Sequence, residues 1–311
     1  MGRLVNGEWT TQWYDTEKTG GKFVREDSNF RHWITPDGEG DSFKAEPGRY
    51  HLYVSWACPW AHRTLIFRKL KKLEDVIDVS VVHWFMGDDG WTFKEEDGAT
   101  GDTLYGKSCL HEIYTLAKPD YTGRVVVPVL WDKQNRTIVN NESADIIRIL
   151  NSAFDEWGDA DVDFYPVTLR DEIDAINQQV YHNVNNGVYK AGFATSQAAY
   201  EEAVKTLFDT LDMLENRLAK QDWLVGGQIT EADWRLFTTL VRFDAVYYSH
   251  FKCNLRRIRD YPHLHAYLER LYAIPDVAQT VHMDHIKNHY YGSHPTINPT
   301  GIVPLGPAEP I

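Results

Sequence analysis

An α/β half followed by an all-helical half is the fold class this sequence predicts, and three observations carry it. A strand-like run, Tyr50-His51-Leu52-Tyr53-Val54, leads straight into Ala61, Leu65, Ile66, Leu70 and Leu73 at roughly helical spacing. One further strand and a hairpin with a Val-Pro step come before the next helix. From Tyr165 onward, apolar residues recur only at helical spacing.

The totals set outer bounds. A chain of 311 residues, 43% hydrophobic and 13% aromatic, has material for one large or two ordinary packed domains. A net charge of −13 argues against nucleic acid or an anionic membrane surface as a partner. Three cysteines make no disulfide framework and suit a reducing compartment. The first residues lack the apolar core of a secretory signal, Asn6 stands where a myristoylation motif wants Ser or Thr, and no apolar stretch reaches membrane-spanning length. These features predict a soluble, intracellular protein.

Taken in order, residues 1–47 are polar, rich in Gly, Asp and Trp, and read as an irregular N-terminal extension. The strand at 50–54 and the helix after Cys58 follow, then Val76-Ile77-Asp78-Val79-Ser80-Val81-Val82-His83 as a second strand. Residues 84–120 form a glycine-punctuated, acidic insertion. Arg124-Val125-Val126-Val127-Pro128-Val129-Leu130-Trp131 and Thr137-Ile138-Val139 make a hairpin; a proline in such a run belongs at an edge, a bulge or a cis peptide. Asn141-Glu142-Ser143 opens a helix with Ala144, Ile146, Ile147 and Leu150. The order β-α-β-β-β-α is a thioredoxin-like arrangement over 48–155. Residues 151–163 read as a linker, 164–289 as an all-α domain, and 290–311, with Pro295, Pro299, Pro304, Pro307 and Pro310, as an extended C-terminal tail. Within the helical half, Thr230-Glu231-Ala232-Asp233 is a capping sequence ahead of an apolar helix.

The chemistry centres on Cys58. A cysteine at a strand-to-helix junction sits where backbone N–H groups and the helix dipole favour negative charge, which lowers its pKa and populates the nucleophilic thiolate. Pro59 suits the first helical position, which needs no N–H. Ala61 stands where a redox Cys-x-x-Cys pair would have its second thiol, so an external thiol must resolve any disulfide formed at Cys58. Cys109 and Cys253 lack this context and read as inert.

The motifs Cys58-Pro59-Trp60-Ala61-His62-Arg63, Met86-Gly87-Asp88-Asp89-Gly90-Trp91-Thr92-Phe93, Leu104-Tyr105-Gly106, Val127-Pro128-Val129-Leu130-Trp131-Asp132, Asn185-Asn186-Gly187-Val188-Tyr189-Lys190-Ala191-Gly192-Phe193-Ala194, His289-Tyr290-Tyr291 and Ile297-Asn298-Pro299-Thr300-Gly301-Ile302-Val303-Pro304 run over nearly the whole chain. Together they resemble the glutathione transferases, and most closely the Xi class, the glutathionyl-hydroquinone reductases. The resemblance implies a glutathione transferase fold, with glutathione as cosubstrate, no metal, and glutathionylated hydroquinones as substrates. It also implies a cytoplasmic homodimer. By resemblance, Cys58 is the nucleophile, Val127 pairs its backbone with the cysteinyl part of glutathione, and Glu142 and Ser143 hold the γ-glutamyl end. Trp91 and Arg124 supply an aromatic wall and a cation, while Tyr189 and Tyr290 bind the quinol oxygens. Taken alone, Tyr189 and Tyr290 are two of 17 tyrosines, and Arg124 reads equally as a solvated charge at a strand end.

Two other functions compete: an omega-like thioltransferase or dehydroascorbate reductase, which needs Cys58 but not the tyrosine pair, and a non-catalytic ligand carrier, which needs neither. Two further signals are set aside. Gly101-Asp102-Thr103-Leu104-Tyr105-Gly106-Lys107-Ser108 satisfies the phosphate-loop pattern, but it follows an acidic loop instead of a buried strand. His282, His285 and His289 could share a helix face, but no Cys or carboxylate pattern closes a metal site around them.

Overall fold

The computed structural model describes residues 2–308; Met1 and residues 309–311, including Pro310 of the expected tail, lie outside them. The chain divides into two compact units. The first takes the chain up to Trp13, Glu26–Asp163 and Gln279–His289; the second takes Tyr14–Arg25, Phe164–Ala278 and the chain from Tyr290 onward.

The first unit opens with β1 (Arg3–Val5) and β2 (Glu8–Thr10), a hairpin that turns at Asn6-Gly7, both with positive φ. Asn-Gly is the pair such a turn favours. Two short strands follow, β3 (Ile34–Thr35) and β4 (Phe43–Lys44). Then come β5 (Tyr50–Val54), α1 (Pro59–Leu70), β6 (Asp78–Val81), the small hairpin of β7 (Met86–Gly87) and β8 (Gly90–Trp91), and α2 (Leu110–Ala117). The unit continues with β9 (Gly123–Arg124), β10 (Val129–Asp132), β11 (Thr137–Asn140) and α3 (Ser143–Ser152). The central sheet has the order β11-β10-β5-β6, with β5 and β6 parallel and β10 antiparallel to both of its neighbours. All five residues of β5 are buried, as expected of an inner strand. Helices α1 and α3 pack on each other. This is a thioredoxin-like domain.

The run from Arg124 to Trp131 is not one strand, as the sequence suggests. Gly123 and Arg124 pair with β1 in a separate three-stranded sheet, and the central strand begins only at Val129. Pro128 has no N–H for a ladder, and the Val127–Pro128 peptide is cis. Between the two strands, the Tyr114 hydroxyl donates to the Val126 carbonyl at 2.8 Å and accepts from the Val126 N–H at 3.2 Å.

The second unit is helical: α4 (Arg170–Val180), α5 (Gly187–Gly192), α6 (Gln197–Leu218), α7 (Glu231–Arg242) and α8 (Pro262–Tyr272). Two π-helical turns interrupt it, Tyr181–Asn185 before α5 and Phe243–Tyr247 after α7. Every residue of α7 is buried. Its start is the expected capping box. Buried Asp233 accepts from the N–H groups of Thr230 at 2.8 Å and Leu224 at 2.9 Å, and from the Tyr267 hydroxyl at 2.8 Å. Among the described residues no helix is long and apolar enough to cross a membrane.

Three boundaries differ from expectation. The N-terminal extension is not irregular throughout: β1 joins β9, and residues 14–25 pack with the helical unit, where the Thr195 N–H donates to the Gly21 carbonyl at 3.0 Å. The tail starts later than 290, because α9 (Met283–Ser293) continues until just before Pro295. Residues 279–289 group with the first unit. There His62 bonds the Thr280 hydroxyl at 2.8 Å and His282 stacks on Trp56 at 3.8 Å.

Two stability outcomes follow. Asp233→Ala strands several buried donors at once and should cost about 3 kcal/mol by chemical denaturation; a loss within experimental error would show that this box contributes nothing. Burial pushes the His51 imidazole from 6.5 down to about 4. Between those pH values the unfolded chain takes up a proton that the folded chain refuses, so stability falls on acidification, by at most about 1.4 kcal/mol per pH unit. His51→Gln should flatten that slope by about one proton, and an unchanged slope would refute the assignment.

Candidate active site

Cys58 is the N-cap of α1, with extended backbone (φ −74, ψ 123) and Pro59 at the first helical position. The buried β5 ends at Val54, and the Ser55 carbonyl accepts the Cys58 N–H at 3.3 Å while its hydroxyl accepts the Ala57 N–H at 3.2 Å. This turn delivers the thiol to the positive end of the helix dipole. Cys58 is 9% exposed, and its sulfur lies 3.7 Å from the Val127 carbonyl oxygen, to which the thiol donates. Cys58 and Val127 are therefore brought together.

Glu142 and Ser143 form the start of α3. The Glu142 carboxylate accepts the Ala144 N–H at 3.1 Å, capping the helix, and the Ser28 hydroxyl at 3.1 Å. Buried Ser143 accepts from the Arg63 guanidinium at 3.3 Å, and Arg63 also lies over the Trp60 ring at 4.6 Å. Sequence reasoning missed Arg63 and Ser28 as parts of this site. A charge amid the apolar spacing of α1 was the signal for Arg63; nothing in the extension marked Ser28. Fully buried Tyr114 holds the floor together: besides Val126 it accepts from the Asn141 side chain at 3.0 Å. One phenol thus ties the segment before Pro128 to the residue before Glu142.

Trp91, on β8, is buried with one face stacked on His289 at 4.8 Å, and His289 bonds the Trp84 carbonyl at 2.8 Å. Arg124 faces the N-terminal extension: it donates to the Gln12 carbonyl at 2.6 Å and to Glu26 at 3.2 Å, with the Trp13 ring 5.9 Å away. The observed setting of Arg124 is an ion-paired one, not a solvated strand end.

In the second unit, Tyr189 on α5 and Tyr290 on α9 share a hydrogen bond at 2.5 Å, and Tyr247 reaches Tyr290 at 2.9 Å. Phe193, Phe251 and His294 pack round them, and Arg25 lies over the Tyr189 ring at 4.9 Å. A Cβ at Gly192 would fall 2.2 Å from the Phe251 ring, so only glycine admits that ring against α5. Tyr247, like Phe251, His294 and Arg25, lies outside every sequence motif singled out above.

The remaining signals resolve locally. The Gly101–Ser108 loop offers its amides to its own acid: Asp102 accepts the N–H groups of Leu104, Tyr105 and Lys107, which a nucleotide phosphate would have to use. His285 bonds the Asp97 carbonyl at 2.6 Å, and among the described residues no group of three or more His, Cys, Asp or Glu could hold a metal.

Residues 57–153 match the glutathione S-transferase N-terminal domain, and residues 197–270 match the C-terminal domain of the same family. Glutathionyl-hydroquinone reductase PcpF of Sphingobium chlorophenolicum is 56% identical, over 100% of this chain and 98% of its own. The glutathione-bound structure of YqjG, a glutathione transferase homologue from Escherichia coli K-12, superposes with a TM-score of 0.91 at 53% identity, covering 99% of this chain and 96% of that one. The glutathione-S-transferase Xi of Phanerochaete chrysosporium gives 0.90 at 54% identity, over 93% and 99%.

Thiol reactivity checks the distinctness of Cys58. Burial, with Asp89 and Glu112 nearby, pushes the Cys109 thiol up to about 11, and burial pushes Cys253 up further still. At pH 8 only about one Cys109 in a thousand is then thiolate. Iodoacetamide followed by peptide mass spectrometry should label Cys58 first and Cys253 only after unfolding. Labelling of Cys109 ahead of Cys58 would contradict this order.

Proposed function

We propose that this chain, which belongs to the Xi class of the glutathione transferase family, is a glutathionyl-hydroquinone reductase with glutathione as cosubstrate. One observation carries the reading: a lone cysteine at a helix N-cap, with alanine at position 61, in a chain 56% identical over its whole length to a glutathionyl-hydroquinone reductase.

The chemistry follows from that thiol. The Cys58 thiolate attacks the sulfur of the glutathionyl-hydroquinone, forming a sulfur–sulfur bond as the carbon–sulfur bond breaks. The bonding pair stays on the ring carbon, which takes a proton, and free hydroquinone leaves. A second glutathione, as its thiolate, attacks the glutathionyl sulfur of the mixed disulfide, giving oxidised glutathione and restoring the Cys58 thiolate. The ring carbon gains two electrons and two glutathione sulfurs lose them, so the cycle balances. No second protein thiol is required.

The remaining residues bind. The Val127 carbonyl, which accepts the Cys58 thiol at 3.7 Å, would accept the cysteinyl N–H of glutathione once the sulfur is ionised. Glu142 would hold the γ-glutamyl ammonium, and Ser143 with the α3 N-terminus its carboxylate, with Arg63 fixing the hydroxyl. Trp91 supplies an aromatic wall. Arg124 contributes positive charge toward an anionic tripeptide, from a position already engaged by Glu26. Tyr189 and Tyr290 bind the quinol oxygens and can pass a proton to the developing carbanion. Three free thiols and a need for reduced glutathione favour the cytoplasm, and the family resemblance favours a homodimer.

The test incubates the protein with glutathionyl-menadiol and excess glutathione, following menadiol and oxidised glutathione. Wild-type turnover with Cys58→Ser slower by at least about a thousandfold is the expected result. A silent wild type that still reduces a mixed disulfide would move the assignment to an omega-like thioltransferase. Silence on both, with glutathione bound, would make it a carrier.

A further inference from the structure

We propose that Ser28 is a positioning residue for the amino end of glutathione, its hydroxyl holding the Glu142 carboxylate in the orientation that receives the γ-glutamyl ammonium. The inference rests on the assignment of Glu142 to that ammonium and adds to it a residue from the N-terminal extension.

Residues 28–32 run along β11, the outer strand of the central sheet, and continue past its end. The His32 N–H donates to the Val139 carbonyl at 3.0 Å, Arg31 bridges Asn140 in the antiparallel sense, and the Asn141 N–H donates to the Phe30 carbonyl at 3.1 Å. Side-chain amides fasten the same pairing. The Asn141 amide oxygen accepts the Phe30 N–H at 3.1 Å, and the Asn140 amide donates to the His32 carbonyl at 3.0 Å. The Asn140 amide oxygen accepts the Glu142 N–H at 2.8 Å, so the same asparagine ties down the residue that carries the carboxylate. This register sets Ser28 beside the start of α3.

An ionised carboxylate has about four lone-pair directions. On Glu142, Oε1 accepts the Ala144 N–H at 3.1 Å and the Ser143 hydroxyl at 3.4 Å, while Oε2 accepts the Ser28 hydroxyl at 3.1 Å. Among the described residues these donors leave one direction, at Oε2, for a ligand's ammonium. The Ser28 hydroxyl also lies 3.2 Å from the Asn141 carbonyl. Of those two acceptors, the charged one makes the stronger bond. Arg31, close by on the extension, commits its guanidinium to Asp145 at 2.8 Å.

The consequence is a carboxylate fixed at both oxygens. Oε1 is held as the helix cap, and Ser28 keeps the group from pivoting about that oxygen. A side chain already oriented gives up no freedom when the ligand arrives, and that saving appears as affinity. Without the hydroxyl, ordering the carboxylate becomes part of the binding step.

Ser28→Ala removes the hydroxyl at a partly exposed position, and Ser28→Thr keeps it. The full chain is titrated by calorimetry, without oxygen, with reduced glutathione and with glutaryl-cysteinylglycine, the same tripeptide lacking its amino group. Wild type should prefer glutathione. Ser28→Ala should weaken glutathione binding about fivefold and leave the deaminated peptide unchanged, with Ser28→Thr like wild type. In turnover with glutathionyl-menadiol, KM for glutathione should rise in Ser28→Ala while kcat stays the same, because Ser28 touches no reacting atom. Equal weakening of both peptides would show that Ser28 only shapes the loop, and it overturns the inference. So does an unchanged affinity for glutathione, or a Ser28→Thr variant as weak as Ser28→Ala. A wild type that binds both peptides equally overturns instead the assignment of Glu142 to the ammonium, and the inference falls with it. The titration needs no hydroquinone, so it decides the matter even for a chain silent in turnover.

Discussion

The first unit depends on one junction, where a strand buried along its whole length stops and a helix begins within five residues. Tyr50–Val54 is held on both sides, by β10 and by β6, so its end cannot move without breaking the sheet. Pro59 starts α1 where no N–H is needed, and Cys58, between the two, takes the extended conformation of an N-cap. The thiol's position is thus set by sheet pairing on one side and helix geometry on the other. One of its partners, the Val127 carbonyl, belongs to the segment between β9 and β10, and β10 is itself paired with β5.

Around that junction, buried polar groups act as struts. Tyr114 holds Val126 by two hydrogen bonds and Asn141 by a third. Asn141 in turn accepts the Phe30 N–H at 3.1 Å, and Ser28 reaches Glu142. The N-terminal extension is therefore part of the machinery at the start of α3. Low dielectric makes such a fully satisfied network stiff, and would make a half-satisfied one costly. The same reasoning applies in the helical unit, where Asp233 gathers donors at the head of α7, and where three phenols share protons among themselves.

Much of this was legible in the chain. The two-unit class, the β-α-β-β-β-α order, the helix start at Cys58, the capping box at Thr230 and the family membership all come from local pattern: period, turn chemistry and motif. These are written into neighbouring residues, because hydrogen bonding within a helix or a hairpin is local. The single run from Arg124 to Trp131 misled for the same reason. Its composition is that of one strand, but Pro128 breaks the ladder, and Gly123 and Arg124 find a partner in β1, more than a hundred residues earlier. The tail boundary failed because a helix facing a packed interior continues as long as no proline stops it, and Tyr290 and Tyr291 are both buried.

What local pattern could not supply is which distant groups meet. That Arg63 would reach Ser143, that Arg124 would pair with Glu26, and that three histidines at helical spacing would stack and bond separately depends on contacts far apart in sequence. Tyr247 shows the difference most plainly. In the sequence it is one of 17 tyrosines, at the end of an apolar helix. Only folding removes water from its hydroxyl and places another hydroxyl 2.9 Å away.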